Sequence, residues 1–405
     1  MNQPGTICPD LPADILEAVV TTLPTIDLLS ASCVSHNWLH AVRSSLHTRP
    51  RLFPWLILRR LPHPSASTHS IHALDPNSRT WLSVPFRNNS IGKQSLLTSY
   101  FLLGSTRDLL YTLTLSQLVI SKDPFGSSIK METKGPKVWR QDPVVAEVGQ
   151  WVVVVGGGFV IDIDLDEGEE EGAVEIYNKQ TDTWELAEPM PTMFDGYTYA
   201  TLLSVAVSDN RLYVIEKNTG WVSQFDPESK KWEQTRQLRP DSSVLKWSIG
   251  IAGKERLLLV GAGREGEVMK VRTWEVDGDT LQVISNNPEQ MPVEMVDRLF
   301  PNFDCLHEDM QAVCSVEVRG TERGGYMFDP ANMKNGVVMY QLSMEEEEEE
   351  EEERRVWRWE WVPSPATVGC DMMERISVGC SPVTLHEVAR CLLKAKSNLL
   401  PRRLQ

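Results

Sequence analysis

The chain has 405 residues, 41% of them hydrophobic, and a formal charge of −16 at pH 7, more than half of it from nine consecutive glutamates, Glu345 to Glu353. That length can bury a large core, and the acidic balance argues against a general nucleic-acid binder, whose affinity for phosphate rests on clustered Lys and Arg. No apolar run reaches the ~18 residues of a membrane helix, Met1 to Asp10 lacks the basic and apolar regions of a signal peptide, and seven scattered cysteines read as reduced thiols. The expectation is a cytoplasmic or nuclear protein with no membrane or nucleic-acid partner and a disordered start over residues 1–9.

Three short helices are predicted between Asp10 and Leu46. Pro12 suits the first position of a helix, where its missing N–H costs nothing, and Ile15, Leu16, Val19, Val20 and Leu23 follow at helical spacing before Pro24 stops the run. Thr25 reads as the cap of a second helix carrying Leu28 and Leu29. A third runs through Val34, Trp38, Leu39, Val42 and Leu46, with Ser35 in its first turn. A unit this small cannot bury so much apolar surface within itself. Its stripe is either packed on the rest of the chain or offered to another protein.

Beyond Thr48 the helical period gives way to short apolar runs punctuated by Gly, Pro, Asn and Asp, the mark of many β-strands joined by tight turns. Phe53 to Leu58, Ile71 to Leu74 and Trp81 to Val84 read as the first strands. An apolar or aromatic residue is followed seven positions later by Trp three times: Leu74 with Trp81, Tyr177 with Trp184, Phe225 with Trp232. Asp75-Pro76 and Asp226-Pro227 form near-identical turns between them. Trp274 with Leu281 reads as a fourth copy without its second aromatic, and the aromatics at 177, 225 and 274 recur at the 48- to 49-residue period of propeller blades. Upstream, Trp151 to Val155 runs into Gly156-Gly157-Gly158, and Leu257 to Val260 into Gly261-Ala262-Gly263.

These features resemble the kelch repeat, which implies four-stranded antiparallel blades whose glycines turn tightly near the axis while outer aromatics pack on the neighbouring blade. Six units follow: Phe53 to Phe86, Leu96 to Thr133, Val144 to Ala187, Tyr199 to Arg236, Trp247 to Ser285 and Gln311 to Val362. Ile376 to Cys380 is left to complete the first blade. The lone Gly104 in the second unit and Glu216-Lys217 in the fourth depart from the pattern and leave seven blades open. Leu385 to Leu393 reads as a short outer helix before a basic tail with Lys394, Lys396, Arg402 and Arg403. Asp162 to Glu171 and Glu345 to Glu353 read as solvated acidic loops, the second a disordered excursion between strands. The insertion Asn286 to Met310, carrying Met291, Met295, Leu299, Phe300 and Phe303, reads equally as a core cover or a partner-binding loop.

Several motifs imitate chemical sites. Gly261 to Gly266 satisfies G-x-G-x-x-G, but Val268 to Val276 alternates like a strand where the fingerprint needs a helix, so a blade hairpin is expected. Asp162, Asp164 and Asp166 have calcium-loop spacing without the turn glycine or the closing glutamate, those places being Glu167 and Ala173. His36 and His40 lie one helical turn apart with no further ligand near, and Cys305, His307 and Cys314 lack the paired spacing of a zinc site. With no G-x-S-x-G elbow and no P-loop, no catalytic residue, metal or cofactor is expected.

The helical stretch resembles the F-box. Leu11-Pro12, Ile15-Leu16, Val19, Leu23-Pro24, Leu28-Leu29 and Val34 with Trp38 fall in register, with Cys33, His36 and Asn37 standing where basic residues are common. Over nearly its whole length the chain resembles the plant F-box/kelch-repeat family. The resemblance implies a mainly β fold, a six-bladed propeller over residues 52–384 preceded by a three-helix F-box at 10–47, with a C-terminal helix and tail at 385–405. It also implies a non-catalytic substrate receptor of an SCF-type ubiquitin ligase. Leu11, Pro12, Ile15, Leu16, Val19, Leu23, Pro24, Leu28, Leu29, Val34 and Trp38 then dock on a Skp-type adaptor, and through it a cullin, while the propeller holds a target for ubiquitination and degradation. The resemblance is greatest to members whose targets are phenylpropanoid and flavonoid enzymes, such as chalcone synthase or phenylalanine ammonia-lyase. The competing expectation is a non-ligase propeller scaffold capped by its own helices, with Leu28 and Trp38 buried against the ring.

Overall fold

The computed structural model describes residues 11–61, 69–86, 102–106, 109–113, 117–121, 123–125, 131–138, 140, 142–157, 172–208, 210–266, 268–285, 287–301, 314–345, 354–368 and 375–399. Three helices open the chain: α1 (Ala13–Thr22), α2 (Thr25–Ser32) and α3 (His36–Thr48). Pro12 and Pro24 stand just outside α1 and α2 with extended backbone, so Thr25 is the first residue of α2 rather than its cap. Ser35 also lies one step earlier than expected. It caps α3, its hydroxyl accepting from Trp38 N–H at 3.4 Å, which satisfies one of the amides a helix start leaves unpaired.

The rest is a β-propeller whose described strands form six four-stranded antiparallel sheets. The first holds β1 (Trp55–Leu61), β2 (His69–Asp75) and β3 (Thr80–Phe86); the second β4 (Leu102–Thr106), β5 (Leu109–Leu113), β6 (Gln117–Ser121) and β7 (Met131–Lys134). The third holds β8 (Val144–Val148), β9 (Trp151–Val155), β10 (Val174–Asn178) and β11 (Thr183–Ala187); the fourth β12 (Leu203–Val207), β13 (Leu212–Glu216), β14 (Trp221–Asp226) and β15 (Lys231–Gln237). In the fifth are β16 (Val244–Ile251), β17 (Arg256–Glu265), β18 (Val268–Asp277) and β19 (Glu289–Gln290); in the sixth β20 (Glu317–Thr321), β21 (Gly324–Phe328), β22 (Val337–Glu345) and β23 (Arg354–Val362). The last strand, β24 (Arg375–Ser381), returns to pair with β1 from Trp55↔Ser381 to Leu61↔Arg375, as the run Ile376 to Cys380 suggested. The innermost strands β24, β4, β8, β12, β16 and β20 neighbour one another in that order, and β20 meets β24 again. Both ends of the chain therefore close one ring, in which the inner edge strand of each sheet stands beside those of its two neighbours.

The seven-residue spacing is a register effect. Leu74↔Trp81, Tyr177↔Trp184 and Phe225↔Trp232 are directly opposed across hairpins, where facing side chains interact most strongly. Each turn opens with a side-chain oxygen of Asp75, Asn178 or Asp226 accepting the amide two residues on, at 2.8–3.0 Å. Each closes with a left-handed residue, Arg79, Asp182 or Lys230. Each Trp indole then reaches the preceding blade: Trp81 donates to Pro363 O at 2.8 Å, Trp184 to Lys134 O at 2.7 Å and Trp232 to Glu188 O at 3.1 Å. The left-handed residue adds a second tie, Arg79 to Glu360 at 2.7 Å and Lys230 to Glu185. Trp274 and Leu281 depart from this pattern. They do not pair across strands; Trp274 packs on Trp247 with centroids 5.6 Å apart, while buried Leu281 closes a turn onto Asp277 O.

Gly156 and Gly157, both left-handed at φ +62° and +65°, follow β9. A Cβ on Gly156 would lie 2.2 Å from Thr198 O, and one on Gly157 2.6 Å from Asp142 C, so only glycine lets the connections before β8 and β12 close over this turn. Gly261 to Glu265 lies within the β17–β18 hairpin, in register from Arg256↔Asp277 to Glu265↔Val268; strand, not helix, follows it, as the alternation predicted. The insertion after β18 contains α4 (Val293–Leu299) and buries Met291, Val296, Leu299 and Phe300 on the fifth and sixth blades, so this part covers core; Phe303 lies outside the described residues. The final helix, α5 (Leu385–Leu399), extends beyond the expected Leu393. A capping box starts it: Glu387 accepts from Thr384 N–H at 2.7 Å, and Thr384 Oγ1 accepts from Glu387 N–H at 3.3 Å.

Candidate functional site

Two apolar stripes run along α1. Leu16 and Val20 turn inward to join Leu28, Ala31, Ala41 and Val42 in a small core, with Leu23, Trp38, Leu46 and Leu385 packed at its edge. Ile15 and Val19, spaced by four on α1, and Leu11, just before the helix, turn outward and are 45%, 37% and 49% exposed; Pro12 is also exposed, and Val34, in the turn between α2 and α3, is 64% exposed. Burying the surface that Leu11, Ile15 and Val19 still expose would contribute about 1 kcal/mol each, the remaining part of what full burial of such side chains is worth. Among the described residues nothing covers them.

The predicted docking residues therefore divide. Leu11, Pro12, Ile15, Val19 and Val34 stand on the surface. Leu23, Pro24 and Trp38 are half-buried. Leu16 and Leu28 are buried among the helices themselves, in the small core of the three-helix unit. Leu28 and Trp38 therefore do not pack against the ring, where a capping role would put them. Leu29 and Ile26, on the opposite side of α2, pack on a cluster of Trp55, Ile57, Ile71 and Val84 from the first blade, Phe125 from the second, and Val388 and Cys391 from α5.

Polar contacts anchor the same side. Thr25 N–H donates to Asp75 Oδ2 at 3.0 Å, and Thr25 Oγ1 accepts from Arg51 at 3.0 Å and Asn77 at 3.1 Å. The Arg51 guanidinium also donates to Val20 O and Leu23 O at the end of α1, where a cation complements the helix dipole. Burial lowers the Arg51 pKa, an effect Asp75 opposes. No sequence feature singled out Asp75 or Arg51 as a partner of the helices, because both contacts are set by the ring's closure.

Inside the ring the charges are structural. Buried Arg140 donates to Gly156 O at 2.7 Å, Ala173 O at 2.8 Å and Glu175 at 3.2 Å, while Glu175 also accepts from Lys137 and Val138 N–H. Lys217 of the fourth blade pairs with Glu317 of the sixth, whose other oxygen takes Arg319 at 3.1 Å. Burial pushes the Glu317 carboxyl up, but Lys217 and Arg319 outweigh it and hold it below the usual range. His36 and His40 are exposed on α3, and no group of three or more His, Cys, Asp or Glu placed to hold a metal occurs among the described residues. Burial raises the pKa of the Cys314 thiol, with Asp329 adding to it. Asp162, Asp164, Asp166, Cys305 and His307 lie outside the described residues, and no described helix is long and apolar enough to cross a membrane.

The F-box domain model matches residues 8–49, the three helices with their flanks. A protein of Arabidopsis thaliana named as an F-box/kelch-repeat protein is 33% identical over 294 residues, 71% of this chain and 71% of its own. The chain belongs to the F-box/kelch-repeat family. Two solved structures, Kluyveromyces lactis Hsv2 and Kluyveromyces lactis Hsv2 complete loop 6CD, align at TM-scores of 0.33 and 0.32 with 10% identity, over 75% of this chain and 84% of theirs. In this F-box/kelch protein the outward stripe of α1 belongs to the F-box, and the Trp-closed hairpins are the kelch turns of the ring.

Proposed function

We propose that the protein is the substrate-recognition subunit of an SCF-type ubiquitin ligase, docking through its F-box on a Skp-type adaptor and so on a cullin. The observation that carries this is the outward stripe of Leu11, Ile15 and Val19, left exposed by an F-box whose other apolar faces are filled. An amphipathic helix presenting anchors at this spacing fits an apolar groove on a partner. The six-bladed ring holds a target protein for ubiquitination and degradation, and a phenylpropanoid or flavonoid enzyme such as chalcone synthase is the target class we favour. The chain supplies proximity and no covalent step, needs no cofactor, and works in the cytoplasm or nucleus.

The test is binding of the purified full chain to a recombinant Skp-type adaptor by calorimetry. Ile15→Asp with Val19→Asp is expected to reduce affinity at least a hundredfold and leave the melting temperature unchanged, since both side chains already face water. Equal affinity for the two forms, or none for the unmutated chain, would sink the ligase reading.

A further inference from the structure

We propose that α2 welds the F-box to the propeller in one fixed orientation, and that Leu29 is a positioning residue at this seam, not an adaptor contact. The two sides of α2 serve different cores. Leu28 fills the helical unit, whereas Ile26 and Leu29 fill the seam with Trp55, Ile57, Val388 and Cys391. The start of α2 is tied to the first kelch turn through Asp75 and Asn77, and Arg51 clasps the end of α1 to the same threonine. From the other side, α5 sends Leu385 into the F-box core and Val388 and Cys391 into the seam, while Arg390 reaches Asp123 of the second blade at 3.5 Å. Phe125 of that blade is buried in the same cluster. Four pieces of chain distant in sequence thus meet around one helix turn, and a two-sided apolar and polar contact of this kind has one arrangement rather than many.

A fixed F-box sets the distance between a propeller-bound target and the ubiquitin-carrying end of the ligase. This part rests on the ligase reading; the weld itself does not. Its consequence is geometric, because only lysines within a limited reach are modified when the two domains cannot swing.

The weld is tested by pulsed electron-spin distance measurement on the full chain. One label sits on native, exposed Cys33, the other on Leu186→Cys in the exposed outer strand β11, with Cys8, Cys305, Cys314 and Cys370 replaced by serine. One narrow distance distribution is expected. Ile26→Ser with Leu29→Ser, and separately a chain ending at Val383, should at least double its width, while hydrogen exchange keeps the Leu16–Val20 and Ala41–Ser45 amides protected. A broad distribution in the parent, an unchanged width in both variants, or loss of that protection in both would overturn the weld. In a second arm the complex is reconstituted with recombinant adaptor, cullin and charged conjugating enzyme, and self-ubiquitinated lysines are mapped by mass spectrometry. The parent should be modified at a restricted set and the serine variant at about twice as many, with adaptor affinity retained within threefold. Equal sets would overturn the positioning role. No modification of the parent would refute the ligase reading, and the distance distribution would still decide the weld.

Discussion

Arg140 and Glu175 are both buried, and between them they satisfy two backbone carbonyls and two backbone amides. Removing one charge leaves the other desolvated with its partners mismatched, which costs more than the pair itself contributes. Glu175→Gln is therefore expected to lower stability by about 3–5 kcal/mol in urea unfolding. Glu317 offers a test with a sign. Its folded pKa is depressed below the ordinary glutamate value of 4.5, with burial opposing and Lys217 and Arg319 prevailing. The folded state then binds fewer protons than the unfolded one, so its contribution is complete above about pH 4.5 and is lost as the pH falls through the depressed folded value. An acid titration of the unfolding free energy should show a shallower decline below pH 4.5 for Glu317→Gln, whose stability at pH 7 is also reduced because Lys217 loses its counter-charge.

At the scale of the element, the recurring unit is the Trp-closed turn. Its cross-strand half was legible in the sequence, because Leu74 with Trp81, or Tyr177 with Trp184, is set by the local length of a hairpin. Its inter-blade half was not. Pro363, Lys134 and Glu188 accept the three indole protons from the blade before, and nothing local to Trp81, Trp184 or Trp232 names them. Replacing each Trp by Phe keeps the apolar ring and deletes the donor, so each should cost about 1 kcal/mol, within the range expected of one hydrogen bond. The three sites lie on different blades, and their effects in denaturant unfolding should add within about 0.5 kcal/mol. The helices had the same limit. Spacing revealed that α1 is apolar on more than one side, but not that Leu16 and Val20 face inward while Ile15 and Val19 face water, since that depends on where α2 and α3 settle. Leu28→Ala should accordingly destabilise the F-box by about 2–5 kcal/mol, measured by exchange of its amides, where Ile15→Asp leaves it intact.

For the whole molecule the decisive element is β24, because it is the one inner strand supplied from the far end of the chain. The run Ile376 to Cys380 was legible as a leftover strand once the repeats were counted. The helix after it was legible only as a short outer element, since the seam of α5 with α2 joins surfaces that sequence spacing does not relate. These two segments separate closure from coupling. A chain ending at residue 374 loses β24, which exposes the backbone edge of β1 along buried Leu56, Ile57 and Leu58 and opens the ring between β20 and β4. An apolar strand with an unpaired edge is a template for aggregation, so this chain should be recovered as insoluble aggregate. A chain ending at Val383 keeps all seven residues of β24 and removes α5 with its capping Thr384 and the basic tail. It should remain monomeric by light scattering with the β-sheet circular dichroism of the parent. Its melting temperature should fall, because Trp55, Ile57 and Phe125 lose the cover of Val388 and Cys391 and each lost apolar contact of this size is worth roughly 1.5–3 kcal/mol. If the two truncations behaved alike, closure through β24 would not be what holds the ring, and ring and seam would be one cooperative structure rather than two.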